Sequence, residues 1–174
     1  MSFFVIQVMT GKEDDFIELF SKYRPDQPLY NIKKKIKSRK KGKTIFLMNC
    51  IFPGYIFFQY PEEKPSPELV RSLKRTTNFS RILPATDSIK ALSDRDSDII
   101  RHLLSFGREI GASLVTFDEN NRIKVIQGPM MGLEGRIIKV DKRKRRAKIR
   151  FEMTETPITF DLGFEILETV KETG

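Results

Sequence analysis

The sequence predicts two unlike units in one chain. The first is an α+β domain over residues 1–106, an antiparallel sheet with helices; the second is a small all-β, five-stranded barrel over residues 122–172. Three observations predict this. Up to residue 106, short apolar runs alternate with stretches whose apolar residues recur at helical spacing. Beyond residue 122 only period-two patterns and turn residues remain, and so few strands bury most interior by closing as a small barrel. Between them, residues 107–121 carry Gly107, Gly111, Asp118, Asn120 and Asn121, the composition of a linker with at most a short ordered piece at Ser113 to Phe117.

Composition narrows the function. A hydrophobic fraction of 39% is adequate for packed cores, and 174 residues suit one large domain or two small ones. No segment approaches the ~20 apolar residues of a membrane span. Phe3 to Met9 is apolar but lacks a basic leader and a cleavage site, so no signal peptide is expected. The single Cys50 excludes an intrachain disulfide framework and suits a reducing cytoplasm. One histidine and one cysteine cannot build the usual zinc sites. With no carboxylate cluster, Walker loop or nucleophile–base set, neither catalysis nor a cofactor is expected. The net charge of +9 and pI near 9.7 favour an anionic partner, nucleic acid first, then an anionic membrane or an acidic protein.

The first domain reads in order. Phe3 to Met9 is a buried strand. Thr10-Gly11-Lys12-Glu13 matches a capping box, with Thr10 as cap. Phe16, Leu19, Phe20 and Tyr23 then form one helical stripe, ended by Pro25 and Pro28. Leu29 to Ile32 begins a second strand. It leads into Lys33–Lys43, a run of eight basic residues and no acid, either a solvated hairpin tip or a basic finger for phosphates. Thr44 to Met48 returns. Cys50 to Tyr60 holds the longest apolar run, with Pro53-Gly54 as its leading turn, because proline cannot donate to a ladder. From Tyr55 onward, Tyr55 and Phe57 face one side while Ile56 and Phe58 face the other. Helices can bury one side, leaving Tyr55 and Phe57 as a contact surface; alternatively both faces are core. Ser66 with Pro67, and Ser93 with Asp94 and Asp96, mark two further helix starts around a strand at Asn78 to Leu83. His102 is expected at the surface or a boundary.

In the second domain, strands are expected at Ile123–Ile126, Arg136–Val140, Arg146–Phe151, Thr156–Leu162 and Phe164–Leu167. Alternation puts Ala147, Ile149 and Phe151 inside with Ile138 and Val140. It puts Arg146, Lys148 and Arg150 outside with Lys139. The tip Lys142, Arg143, Lys144, Arg145 adds to that face. Like charges across strands cost about 0.2–1 kcal/mol per pair, so phosphates would relieve a basic face. The candidate nucleic-acid-binding residues are therefore Lys139, Lys142, Arg143, Lys144, Arg145, Arg146, Lys148 and Arg150; alternatively the hairpin is basic for solubility alone.

The stretch from Arg122 to Ile137, with its strand, Gly128-Pro129 and later glycines, resembles a KOW motif. The opening strand with Thr10-Gly11-Lys12-Glu13, Phe52-Pro53-Gly54-Tyr55 and Leu69-Val70-Arg71-Ser72 resembles the N-terminal (NGN) domain of NusG. The closing Glu155-Thr156-Pro157-Ile158 and Phe164-Glu165-Ile166 resemble NusG's last strands, so the likeness covers nearly the whole chain in order. It implies a non-enzymatic, cytoplasmic, monomeric transcription elongation factor. Its first domain would dock on the clamp helices of RNA polymerase through Tyr55, Phe57 and, more weakly, Phe4. Its KOW barrel would bind RNA, a ribosomal protein or another regulator. Phe3-Phe4 stands where housekeeping members open on Trp-Tyr. With the two basic runs, this resembles the LoaP antiterminators, which recognise a leader-RNA hairpin. Strong period-two alternation after residue 122 predicts a constitutive barrel, unlike RfaH paralogs, whose KOW region refolds into helices. Leu133 falls in the loop NusG uses against a ribosomal protein. A ribosomal-type structural RNA-binding protein and a housekeeping NusG coupling transcription to translation are the alternatives.

Overall fold

The computed structural model describes residues 1–154 and 156–168. In chain order the first domain runs β1 (Ser2–Val8), α1 (Glu13–Tyr23), β2 (Lys33–Lys40), β3 (Lys43–Cys50), β4 (Tyr55–Tyr60), α2 (Pro67–Arg75), β5 (Phe79–Ile82) and α3 (Asp94–Leu104). Then follow β6 (Glu109–Ile110), β7 (Ser113–Phe117), β8 (Ile123–Gln127), a 3-10 turn at Glu134–Arg136, β9 (Ile137–Asp141), β10 (Arg146–Met153) and β11 (Thr156–Ile166).

β1 is the centre of the first sheet, flanked antiparallel by β4 and β5. Its two faces are both apolar, so it is buried on both sides. One face carries Phe4, Ile6, Ile56 and Phe58 against Phe16 and Phe20 of α1 and Leu69 and Leu73 of α2. The other carries Phe3, Val5 and Phe57, in one core with Ile99, Ile100 and Leu103 of α3. The helix starts follow local chemistry. The Ser66 hydroxyl accepts from the Leu69 N–H, with Pro67 at the first helical position, and the Ser93 hydroxyl accepts from the Asp96 N–H. The expected Thr10 cap is not made. Lys12 occupies the N-cap of α1 without a side-chain bond. Instead the buried Glu13 carboxylate accepts from the N–H groups of Gly11 and Gly54, the latter at 2.6 Å. The acid thus ties the start of α1 to the turn before β4. That turn needs glycine: Gly54 has φ +84, and a Cβ there would stand 2.9 Å from Thr10 Oγ1.

The Lys33–Lys43 run is mostly strand. β2 and β3 form a ribbon joined by Lys41-Gly42, both at positive φ as a two-residue hairpin turn requires. Tyr30 makes only an isolated bridge to Phe57, so the second strand starts at Lys33 rather than Leu29.

The second domain is a curled five-stranded sheet in the order β8-β7-β11-β10-β9. It is a sheet throughout, with no helix beyond the 3-10 turn among its described residues. Its strands differ from the expected five. Gly163 does not break the chain, so Thr156–Ile166 is one strand. The fifth strand is β7, from the segment expected to be a linker, and it pairs parallel to β11. The preceding β6 pairs parallel to β2 at Lys33 and Lys34. Residues 107–117 are therefore shared between the two sheets rather than free.

Candidate functional site: a basic hairpin tip and an apolar sheet face

β10 alternates as expected: Ala147, Ile149, Phe151 and Met153 are buried, while Arg146, Arg150 and Glu152 are exposed and Lys148 is half-buried. β9 differs from expectation. Its register shifts between Lys148 and Ile149, so Ile137 pairs with Ile149 and Ile138 is left 56% exposed. A bulge adds one residue and reverses the side chains beyond it. Lys139 stays outward, directly opposite Lys148. On its other side Lys148 faces Asp161.

Between these strands the tip is closed by the Lys144 N–H donating to the Asp141 carboxylate at 2.9 Å. That bond holds the Asp141 carboxyl below its ordinary range, against burial and with help from the Lys144 and Lys139 charges. Lys142 is engaged: its ammonium donates to Asn121 Oδ1 and lies 4.0 Å from the centre of the Phe117 ring. Arg150 pairs with Glu152 at 3.4 Å. Lys139, Arg143, Lys144, Arg145, Arg146 and Lys148 form no salt bridge among the described residues. The tip is thus a cluster of solvated cations with two carboxylates, Asp141 and Asp161, at its base.

Of the two sequence readings of the apolar strand, the structure takes the second: both faces are core. Phe57 is fully buried and Tyr55 half-buried. What covers the face is α3 together with the second domain. The Phe57 ring meets Phe52 at 5.1 Å, and Phe52 meets Phe160 at 4.9 Å and Phe151 at 5.5 Å. One apolar core therefore runs across both domains. Phe4, the weaker docking candidate, lies on the opposite face, buried and stacked on Phe58 at 5.5 Å under α1 and α2. β1 residues opposite Phe57 and its neighbours are Val5, Phe3 and Gln7, so Phe3 is the aromatic that shares the Phe57 face. Antiparallel pairing of the two strands would have supplied this, since opposite residues share a face.

Polar bonds also join the domains. The Lys34 ammonium donates to the Asp161 carbonyl at 2.7 Å. Burial pushes the Lys34 pKa down, partly countered by the Asp161 charge and deepened by Arg146. Arg136 pairs with Asp96 at 3.6 Å, both largely buried. His102 Nε2 lies 2.8 Å from the Pro129 carbonyl, so this histidine sits at the domain boundary. Leu133 is buried in the shared core. Sequence reasoning missed one exposed feature, the ribbon strand β3, whose Phe46, Leu47 and Met48 are 58%, 46% and 37% exposed. Among the described residues no group of three or more His, Cys, Asp and Glu is placed to hold a metal. No helix among them is long and apolar enough to cross a membrane.

The family model described as "Transcription termination factor nusG" matches residues 1–101. The transcription termination/antitermination protein NusG of Vibrio vulnificus is 28% identical over 114 residues, 64% of this chain and 62% of that protein. The chain thus spans less than two thirds of that relative. NusG of Streptococcus pyogenes serotype M1 is 24% identical over 172 residues, 95% of this chain and 94% of that protein. A solved structure of Thermotoga maritima NusG, reported for its domain interaction, has a TM-score of 0.55 at 17% identity and covers 94% of this chain and 97% of its own, which shows a shared fold. With the matching family model spanning more than half its length, the chain belongs to the NusG family.

Proposed function

We propose that this chain is a transcription elongation and antitermination factor. It docks on the clamp helices of RNA polymerase through the Phe3, Tyr55 and Phe57 face and binds RNA through its basic KOW hairpin. The observation that carries the reading is the way the sheet is covered. α1 and α2 fill one face, whereas the other depends on aromatics of a second domain as well as α3. Interfaces between domains resemble transient protein–protein interfaces. An apolar face completed that way is exchangeable, and a pair of polymerase helices is a partner of matching chemistry. Docking there requires the second domain to move off Phe52.

The unpaired cations at Lys139, Arg143, Lys144, Arg145 and Lys148 support RNA as the second ligand. Phosphates would neutralise the tip, and specificity would come from loop or bulge bases. A specialised antiterminator of the LoaP kind, reading a leader hairpin, fits this charge best. Ribosome coupling is the weaker reading, because Leu133 is buried in the shared core and needs the same domain opening to reach a ribosomal protein.

The deciding experiment is in vitro transcription through an intrinsic terminator, with and without candidate leader RNA, alongside co-purification. Increased readthrough and recovery with core polymerase are expected. Recovery with ribosomal subunits and no effect on readthrough would replace the proposal with the ribosomal-type alternative.

A further inference from the structure

Between the β2–β3 ribbon and the second domain lies a groove of about 610 Å³. One wall is Lys34, Lys35, Lys37 and Phe46 of the ribbon; the other is Lys144–Arg146 at the hairpin tip, with β11 along the floor. Glu165 is the one carboxylate among its lining residues. Lys37 is directly opposite Phe46 in the ribbon, and the Lys35 ammonium stands 4.5 Å from the centre of the Phe46 ring. Phe46 is nevertheless 58% exposed. An open aromatic between lysines, facing a second set of cations, combines a stacking platform with a charged channel.

On the strength of the RNA reading above, on which it rests, we propose that this groove is a single-stranded RNA site. Backbone phosphates lie between the Lys35/Lys37 wall and the Lys144–Arg146 wall, and one base stacks on Phe46. Two arguments select a single strand. Sequence-tolerant binders of single strands pair a positive groove with aromatics that accept any base face. A volume of this order suits a drug-sized group, such as one or two nucleotides, and not a stacked duplex, whose bases are unavailable for stacking. The residues at stake lie in two regions that the sequence leaves apart, the ribbon and the hairpin tip.

The test is fluorescence anisotropy of the full chain with a labelled 12-nucleotide oligouridylate over a salt series. The variants are F46A, K35Q/K37Q and, outside the groove, K139Q/R143Q. Phe46, Lys35 and Lys37 are exposed, so these variants should fold as the parent does. F46A is expected to bind about 5- to 150-fold more weakly, the loss of one stacked base. K35Q/K37Q is expected to lower the log–log salt slope by about 1.4. If F46A and K35Q/K37Q bind like wild type while K139Q/R143Q is weakened, the groove site is wrong and the RNA-binding hairpin stands. If the wild-type chain does not bind the oligonucleotide, or all three variants bind it as tightly as wild type, the groove site is wrong; the leader-hairpin reading stands or falls separately, on the transcription assay with leader RNA. If a 12-residue oligoglutamate displaces the RNA and F46A has no effect, the groove takes acidic chains by charge alone and the RNA assignment is overturned.

Discussion

Replacing Phe52 with alanine should open the molecule. Phe52 is 2% exposed and belongs to the turn before β4, yet two of its three ring contacts are with the other domain. Truncating a buried phenylalanine costs about 3–5 kcal/mol in all. The Phe57 contact is lost in the open and closed forms alike, so it does not move the domain equilibrium. The pairs with Phe151 and Phe160, at 5.5 and 4.9 Å and tilted by 50° and 56°, exist only when the domains are closed. At about 0.5–1.5 kcal/mol per aromatic pair beyond area burial, they contribute about 1–3 kcal/mol to closure. The open-to-closed ratio should then rise roughly 5- to 150-fold. Small-angle scattering should show a larger radius of gyration, and the two domains should tumble with separate correlation times by NMR relaxation. Phe160→Ala, made from the other side, should act in the same direction. A folded F52A protein with unchanged scattering and a single correlation time would refute the idea that Phe52 holds the domains together.

Three other outcomes are expected. Gly54→Ala forces an alanine to φ +84 and its methyl to 2.9 Å from Thr10 Oγ1, so chemical denaturation should show a loss of about 1–3 kcal/mol; an unchanged midpoint would contradict the close approach. Substituting Arg143, Arg145 and Lys148 together with glutamine should weaken RNA binding and reduce the log–log salt slope by about 2, measured by filter binding. Burial raises the Asp14 carboxyl pKa, but hydrogen bonds from Lys33 and Asn31 outweigh it and hold the group below its ordinary 3.8. A depressed carboxyl stabilises the fold above its unfolded value and loses that contribution as pH falls through the folded one. Asp14 is 62% exposed, so D14N should cost only about 0.2–1 kcal/mol at pH 7, and its denaturation curves should converge on wild type only as pH falls from 3.8 through the lower folded value.

What the sequence made legible was local. The alternation of β10, the Ser66 and Ser93 caps and the start of β4 after Pro53 each depend on a few adjacent residues. What it hid was register and long-range pairing. Nothing near Ser113 signals that it will lie parallel beside Phe164, about fifty positions away in the chain. One bulge at Lys148/Ile149 was enough to turn Ile138 outward, since strand periodicity carries no warning of an inserted residue. Phe4 and Phe57 look equivalent as aromatics in buried strands, and only the pairing of Phe4 with Phe58 and Phe57 with Val5 separates their faces. Glu13 looked like half of a capping box because the spacing fits. Its carboxylate found the Gly54 N–H, a group about forty residues away.

The two proposed surfaces are linked through the same motion, and the sign of that linkage follows from the geometry. In the closed form the second domain covers the Phe52 side of the sheet face and brings Lys144–Arg146 up to the ribbon to complete the groove. Opening would uncover that side, with α3 still packed on Phe57, and would separate the groove's walls. On the two proposals, a single strand in the groove would favour the closed form, polymerase on the sheet face would favour the open one, and each would weaken the other by the same factor. The size of that factor is bounded by how differently each ligand binds the two forms. Lys139 and Arg143 lie outside the groove, on the β9–β10 hairpin itself. An RNA held first in the groove could thus be retained by the tip once polymerase has taken the sheet, which gives the basic ribbon and the basic hairpin separate tasks in one loading sequence.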